Sequence, residues 1–461
     1  MKKKKMVSLV ATGAIFIIVA VTCFLACSSD EYLDVIPKES SAIVSLDIAK
    51  TMKGNSGTTE PGIIKALFGD IKVEQCGIDF SKKLYLFASP DGSLGIAGKV
   101  DSKQRVKDML EELASTGKAS KPKTHRKMLF SVIKQSWIVG VSDNSCLIMG
   151  PTLPSSQPDM MRKMVKYLNG QNKGIRDSRL FAKLDSIDSP IAMAARVSAL
   201  PDKIMPLLMI GTPKGTEPSD VILAAGLKRA GDCLVIDATT SSFLNDLNKK
   251  IETSKSVLRK IEGKYTASVP STAAFCVQMN AEGKALLSLL KDNKALQAVL
   301  AGINTAIDMD NIIRSIDGDV CLTLLNYGER NKELQMSAKL ANSDFLKDID
   351  YWKKSCPQGG SITDIGINTY CYKDASLTYC FGVSNDLQFF SGSSLDNAKA
   401  SVTNTQDAIP SNVRDCIVKG KIGISMYLPA LLGNTGISQT VNSILSPLFG
   451  EEIKYIVISM E

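Results

Sequence analysis

An internal repeat is the feature that most constrains the fold of this chain. Three short patterns occur twice, in the same order, about 230–240 residues apart. They are a proline-led turn with a strand at 36–47 and 269–280, a turn between strand-like runs at 140–144 and 382–386, and a Leu-Pro pair at 200–201 and 428–429. Three matches in register indicate a duplication, and we place the repeats at 41–263 and 264–461.

Each repeat divides into two smaller units with the order strand, helix, strand, strand, helix. In the first unit, strands at 83–88 and 94–100 flank a Ser-Pro-Asp-Gly-Ser turn, and Asp101 or Ser102 caps the next helix. The fourth unit ends within its hairpin at 453–460, which would leave an unpaired sheet edge. We predict an α+β fold of mostly antiparallel sheets with helices on one face. It comprises two tandem pseudo-repeats of two β-α-β-β-α units each, the last of them truncated.

The first 26 residues have the pattern of a secretory signal. Four lysines at 2–5 form a basic start, an apolar run follows to residue 26, and small residues surround Cys27. Phe-Leu-Ala-Cys at 24–27 resembles a bacterial lipobox, in which the cysteine is acylated and the chain is cut before it. An uncleaved anchor and ordinary secretion are the alternatives. We predict a signal peptide at 1–26, palmitate-type lipidation of Cys27 and a tether at 27–40.

Nine of the eleven cysteines remain once Cys23 leaves with the signal and Cys27 is acylated. Four of them lie inside strand-like runs, as small core side chains do: Cys146, Cys233, Cys276 and Cys321. The mature chain has no C-x-x-C pair, so zinc ribbons and thioredoxin-like redox sites are unsupported. Cys371 and Cys380 could face each other across a hairpin that turns near 375–376, and the sequence leaves open whether they form a disulfide.

Familiar catalytic and cofactor motifs are missing from the sequence. There is no G-x-G-x-x-G, P-loop, H-E-x-x-H or G-x-S-x-G motif, and His125 is the only histidine. We therefore expect no enzyme activity, no cofactor and no metal site. Carboxylates near turns, such as Asp143, Asp319 and Asp364, match turn and cap chemistry, and they leave a carboxylate-based hydrolase as a weak alternative.

A basic loop around His125 is the candidate binding site. Lys121, Lys123, Arg126 and Lys127 lie there, and they could bind the anionic groups of lipid heads or acidic glycans. The alternative is a solvated connection between a helix and a strand. No aromatic residues alternate with these charges, which disfavours nucleic acid. Signal cleavage removes four of the 55 basic residues and no acidic residue, so the net charge of +8 falls to +4.

The start of the mature chain resembles two families. The lipobox, Ser-Ser-Asp-Glu at 28–31 and Tyr-Leu-Asp-Val-Ile-Pro-Lys-Glu-Ser at 32–40 together resemble a domain-of-unknown-function family of Bacteroidales lipoproteins. That resemblance implies a place in the outer membrane, in the periplasmic or the surface-exposed leaflet, and no activity. Residues 30–37 also resemble SusD-like glycan-binding lipoproteins. Those are mainly helical and rich in exposed aromatic residues, whereas this chain has repeated hairpins and 6% aromatic residues.

The sequence thus predicts a non-enzymatic lipoprotein of the cell envelope that acts as a binding or scaffold protein. The lipid on Cys27 would hold it to the membrane, and an envelope protein or a glycan would be its partner. The alternative is a glycan-binding lipoprotein of a nutrient-capture system, with its ligand in a cleft between the repeats.

Overall fold

The computed structural model describes residues 30–53, 75–170, 174–202, 204–291, 307–326, 333–432 and 453–461. The described residues divide into two compact units: those within 1–50 and 67–186 form unit 1, and those within 51–66 and 187–461 form unit 2. The repeat boundary predicted at 263–264 therefore lies within unit 2. The predicted signal peptide and Cys27 lie outside the described residues.

Unit 1 is built on a sheet of seven antiparallel strands. They are β1 (Ala42–Leu46), β2 (Leu84–Ala88), β3 (Leu94–Lys99), β4 (Lys123–His125), β5 (Met128–Ile133), β6 (Trp137–Val141) and β7 (Ser145–Gly150). The helices are α1 (Ile48–Lys53), which follows β1, α2 (Lys103–Ser115), α3 (Gln157–Leu168) and α4 (Arg179–Asp185). The strands pair in the order β1-β2-β3-β7-β6-β5-β4.

Local sequence signals explain several of these elements. The turn between β2 and β3 is closed by a hydrogen bond from the Ser89 N–H to the Ser93 carbonyl, at 2.9 Å. Helix α2 begins after Ser102, whose hydroxyl accepts a hydrogen bond from the Arg105 N–H at 3.3 Å. Its buried side chains recur every three or four residues: Val106, Met109, Leu110 and Leu113. The predicted hairpin is therefore confirmed, and of the two predicted caps, Asp101 and Ser102, the structure has Ser102.

Unit 2 contains the remaining strands. They are β8 (Ile191–Arg196), β9 (Val221–Ala230), β10 (Cys233–Ser242), β11 (Leu258–Arg259), β12 (Phe275–Glu282), β13 (Ile316–Leu324), β14 (Leu334–Leu340), β15 (Ser361–Gly366), β16 (Thr369–Lys373), β17 (Thr378–Val383), β18 (Gln388–Gly392), β19 (Ile422–Tyr427) and β20 (Tyr455–Met460). Its helices are α5 (Met205–Leu208), α6 (Asn245–Lys255), α7 (Gly283–Lys291), α8 (Met309–Arg314), α9 (Ile349–Lys354), α10 (Leu395–Ala400), α11 (Ser411–Ile417) and α12 (Leu428–Leu432).

Twelve of the thirteen described strands of unit 2 pair in the order β15-β16-β17-β18-β14-β13-β12-β19-β20-β10-β9-β8, and the short β11 pairs with β12. All of these pairs are antiparallel except β10 with β20. The run β12-β13-β14-β18-β17-β16-β15 has the same pairing order as β1-β2-β3-β7-β6-β5-β4 in unit 1. Strand β20 lies between β19 and β10, so the open C-terminal edge that we expected is not there.

At strand β18 of unit 2 helices lie on both faces of the sheet, which corrects the predicted one-faced arrangement at this point. Adjacent residues of a strand point to opposite faces. Phe389 of β18 packs with Phe345 and belongs to the same buried cluster as Trp352 of α9, whereas its neighbour Phe390 belongs to a cluster with Ala398 of α10. A strand that is buried on both sides needs a covering layer on each. The α+β class itself is confirmed.

Candidate functional site

The four basic residues predicted as an anion site lie at one edge of the sheet in unit 1. Strand β4 pairs with β5 and with no other strand of the described residues. Arg126 and Lys127 form the two-residue turn from β4 to β5, with φ angles of 50° and 66°. Those angles are typical of a type I′ hairpin turn, which fixes the backbone between the two strands. We call residues 118–127 the basic edge.

The basic edge concentrates positive charge. Its five cationic side chains are all exposed: Lys118, Lys121, Lys123, Arg126 and Lys127. None of them belongs to an ion pair of the described residues. The sequence between Glu112 and Asp143 contains no acidic residue. The structure therefore brings the predicted residues together on one surface, where their fields add.

The N-terminal segment reaches the same end of this sheet. The Lys103 ammonium donates to the Lys127 carbonyl and to the Asp143 carboxylate, at 2.7 Å in each case. Beside Asp143, the side-chain amide of Asn144 donates to the Glu31 carboxylate at 3.3 Å. A short series of contacts thus connects the first described residues with the turn between β4 and β5.

Residues 31–36 are packed into unit 1. Four apolar side chains of this segment are at most 4% exposed: Tyr32, Leu33, Val35 and Ile36. The Tyr32 hydroxyl donates to the Lys83 carbonyl at 3.0 Å. The Arg176 guanidinium makes two hydrogen bonds to the Asp34 carboxylate, at 2.9 and 2.6 Å. From residue 31 onward, the segment that we assigned to the tether is therefore part of the folded body.

Cys371 and Cys380 form a disulfide. They lie directly opposite each other on β16 and β17, which answers the question that the sequence left open. Asp374 organises the turn between these strands, because its carboxylate accepts hydrogen bonds from the Tyr372 hydroxyl and from the Ser376 N–H, both at 2.7 Å. The bond to Tyr372 and the backbone donors lower the pKa of Asp374 to about 2, and the same bond raises the pKa of Tyr372 to about 12.

Removal of this disulfide is expected to lower the free energy of unfolding by about 2–3 kcal/mol, because a crosslink over a short loop restricts the unfolded chain. Urea denaturation of the variant Cys371→Ala/Cys380→Ala measures the loss. The control Cys356→Ala removes a half-buried free thiol of the same unit and should cost about 1 kcal/mol or less. An equal loss in the two variants would contradict a specific contribution of the disulfide.

The four cysteines predicted in the core are all buried. Two of them, Cys276 and Cys321, bring their Sγ atoms within 3.6 Å of each other between β12 and β13. The hydrogen bond between the thiols lowers the pKa of Cys276 and raises that of Cys321. Within the described ranges, no three His, Cys, Asp or Glu residues form a group suited to a metal ion.

Asp319 has a role that its sequence position did not indicate. The residue is 4% exposed, and its carboxylate accepts hydrogen bonds from the Glu262 N–H at 3.0 Å, the Lys264 N–H at 2.8 Å and the Asn280 side-chain amide at 2.9 Å. It therefore ties the loop before β12 to the centre of β13. The three donors lie 39 to 57 residues away along the chain, so no local pattern could have identified this network.

No helix of the described residues combines the length and the apolar character needed to cross a membrane. The family model described as Domain of unknown function (DUF4836) matches residues 72–416. No curated protein matches the sequence. Two solved structures, crystal forms III and I of TP0453, are similar over 43% of this chain and 74% of theirs, at 10% and 11% identity and a TM-score of 0.28. A similarity that low carries no inference about function.

Proposed function

The chain belongs to the DUF4836 family, and from that premise we propose that it is a cell-envelope lipoprotein acting as a non-enzymatic binding or scaffold protein. In this proposal residues 1–26 are removed, Cys27 is acylated, and the lipid holds the mature chain in the outer membrane. The observation that carries the proposal is the basic, apolar and small-residue pattern that ends at Cys27, only four residues before the packed segment begins at Glu31.

The short spacing supports a body held close to the membrane. Four residues of extended chain span at most about 14 Å between the Cα atoms of Cys27 and Glu31. Each buried CH₂ of an acyl chain contributes about 0.8 kcal/mol to membrane association, so a multiply acylated cysteine would anchor the chain firmly. Unit 1 would then lie against the head groups.

The shared pairing order of seven strands in each unit supports the proposed duplication. In a simple meander each strand pairs with the next strand of the chain. Both units depart from that order at the same place, because β7 returns beside β3 and β18 returns beside β14, and such a match is uncommon by chance. Two related sheets would offer similar surfaces for binding in tandem, as suits a scaffold. The segment 32–40 supports placing the chain among the Bacteroidales lipoproteins, through its resemblance to their N-termini.

Replacement of Cys27 by alanine is expected to abolish lipid labelling and to release the chain from the membrane. Cells that express the wild type or Cys27→Ala would be grown with an alkyne-tagged palmitate, and label and membrane fractionation would be measured. The matched control is Cys23→Ala, which changes a cysteine inside the signal and should keep its label. Equal labelling of the wild type and Cys27→Ala would overturn the proposal. Membrane-bound but unlabelled wild-type chain would indicate an uncleaved anchor instead.

A further inference from the structure

We propose that the basic edge of unit 1 binds the anionic head groups of the membrane that holds the lipid on Cys27. This inference deepens the proposed function and rests on it, because it places the edge against the same membrane as the anchor. The ligand chemistry is the phosphate of anionic phospholipids. The relevant residues are Lys121, Lys123, Arg126 and Lys127, with Lys118 beside them.

Position is the first argument. The basic turn between β4 and β5 and the first described residues meet at one end of the sheet, through the contacts of Lys103 and Asn144. Because Glu31 is four positions after Cys27, the Cα atom of Cys27 lies within about 14 Å of that of Glu31, whose carboxylate contacts Asn144 at this end of the sheet. Arg126 and Lys127, at this turn, are therefore on the part of unit 1 that a lipid anchor would bring to the membrane surface, and the rest of the basic edge extends from there along β5 to Lys118, beside Ile133.

Charge is the second argument. The cations of the basic edge have no acidic partner among the described residues, and Asp143, the first carboxylate after the edge in the sequence, forms an ion pair with Lys103 at 2.7 Å. Cations that are free of ion pairs gain most from an anionic surface, about a factor of five in affinity for each Lys or Arg near the membrane. The positive charge is thus available for an external partner.

Geometry is the third argument. The two-residue turn holds Arg126 and Lys127 at the tip of a hairpin, and β4 presents Lys123 from the outermost strand of the sheet. A planar guanidinium can bind a phosphate through two hydrogen bonds, and a lysine supplies a mobile point charge. The aromatic residue nearest in sequence, Phe130, is buried. The edge therefore offers charge without the stacking surface that sugar rings use, which favours lipid phosphate over a glycan.

Vesicle binding by an unlipidated chain tests this inference separately from the anchor. The chain 28–461 would be mixed with phosphatidylcholine vesicles that contain 0, 20 or 40% phosphatidylglycerol, and bound protein measured by sedimentation. We expect binding to rise with the anionic fraction and to weaken in 0.5 M salt. In the variant Lys121→Gln/Lys123→Gln/Arg126→Gln/Lys127→Gln, affinity should fall by about 30-fold or more, even if only two of the four residues reach the surface.

The matched control removes four cations from unit 2. Lys249→Gln/Lys250→Gln/Lys354→Gln/Lys399→Gln changes exposed residues without ion pairs among the described residues, and it alters the net charge by the same amount. Its affinity should stay within about three-fold of the wild type. In a Trp352→Phe background, the fluorescence of Trp137, in the same unit as the basic edge, tests whether the first variant is folded.

Each outcome decides the inference. Equal losses in the two variants would overturn it, since binding would then depend on net charge alone. Absence of binding to anionic vesicles would also overturn it, and binding of an acidic polysaccharide instead would assign the edge to a glycan. If Cys27 is labelled by palmitate but the vesicles do not bind, the proposed function stands and this inference fails. If the vesicles bind but Cys27 is never labelled, the proposed function fails.

Discussion

Replacing Phe381 with alanine is expected to lower the free energy of unfolding of unit 2 by about 3–5 kcal/mol. The side chain is fully buried. Its ring centroid lies 5.6 Å from that of Tyr370, 5.8 Å from that of Tyr379 and 6.3 Å from that of Trp352. Alanine would leave a large cavity and would remove three aromatic contacts, and the surrounding strands can fill that space only in part.

The chain is well suited to this measurement because it has two tryptophans, Trp137 in unit 1 and Trp352 in unit 2. In a Trp137→Phe background, the fluorescence of Trp352 follows the urea denaturation of unit 2 alone. Tyr351→Ala is the matched control, since this neighbouring aromatic side chain is 69% exposed and its loss should change stability by about 0.5 kcal/mol or less. A loss below about 1 kcal/mol for Phe381→Ala would contradict a tightly packed aromatic core.

Asp319→Ala is expected to destabilise unit 2 by about 3 kcal/mol or more. The substitution would leave three donors, two backbone N–H groups and the Asn280 amide, without their acceptor in a buried site. Each buried donor that loses its partner costs about 1–3 kcal/mol. The loop at 262–264 should then detach from β13, and amide hydrogen exchange should show faster exchange at Glu262 and Lys264.

Asp317→Ala supplies the control for this prediction, because it removes a carboxylate from the same strand at an exposed position. Asp317 forms a surface ion pair with Arg259 at 2.7 Å, and its side chain is 50% exposed. Such pairs contribute about 0–1 kcal/mol. If Asp317→Ala and Asp319→Ala lowered the free energy of unfolding by similar amounts, the buried network would contribute nothing beyond a surface ion pair. An unchanged amide hydrogen exchange rate at Glu262 would lead to the same conclusion.

Predictions that depend on neighbouring residues were confirmed. The turn between β2 and β3 and the cap at Ser102 were readable because turn and cap preferences act over a few residues. The pairing of Cys371 with Cys380 was foreseeable as one possibility, since a hairpin brings its own strands together. The basic edge was predicted only in part. Its residues were identified, but the sequence did not show that they follow the outermost strand of the sheet or that the turn at Arg126 and Lys127 shares an end of the sheet with Glu31.

Predictions that depend on distant residues were less successful. Helices were expected on one face, but β18 buries Phe389 and Phe390 on opposite faces, and only the tertiary structure shows which helices cover them. The segment from residue 31 was assigned to a tether, although Arg176 binds Asp34 across 142 residues of sequence. Nothing in the local sequence around Asp34 or Arg176 indicates that the two side chains bind each other, so the packing of this segment could not be anticipated.

The sequence by itself determined the α+β class, the hairpins and caps, and the cysteines that belong to the core. These properties follow from local backbone preferences and from the alternation of apolar residues, which act between neighbours in the chain. Only the tertiary structure decided the order of the strands, the covering of both sheet faces at β18, the partners of Asp319, and the meeting of the turn at Arg126 and Lys127 with the N-terminal segment. Those features depend on contacts between residues tens to hundreds of positions apart, which no local pattern specifies.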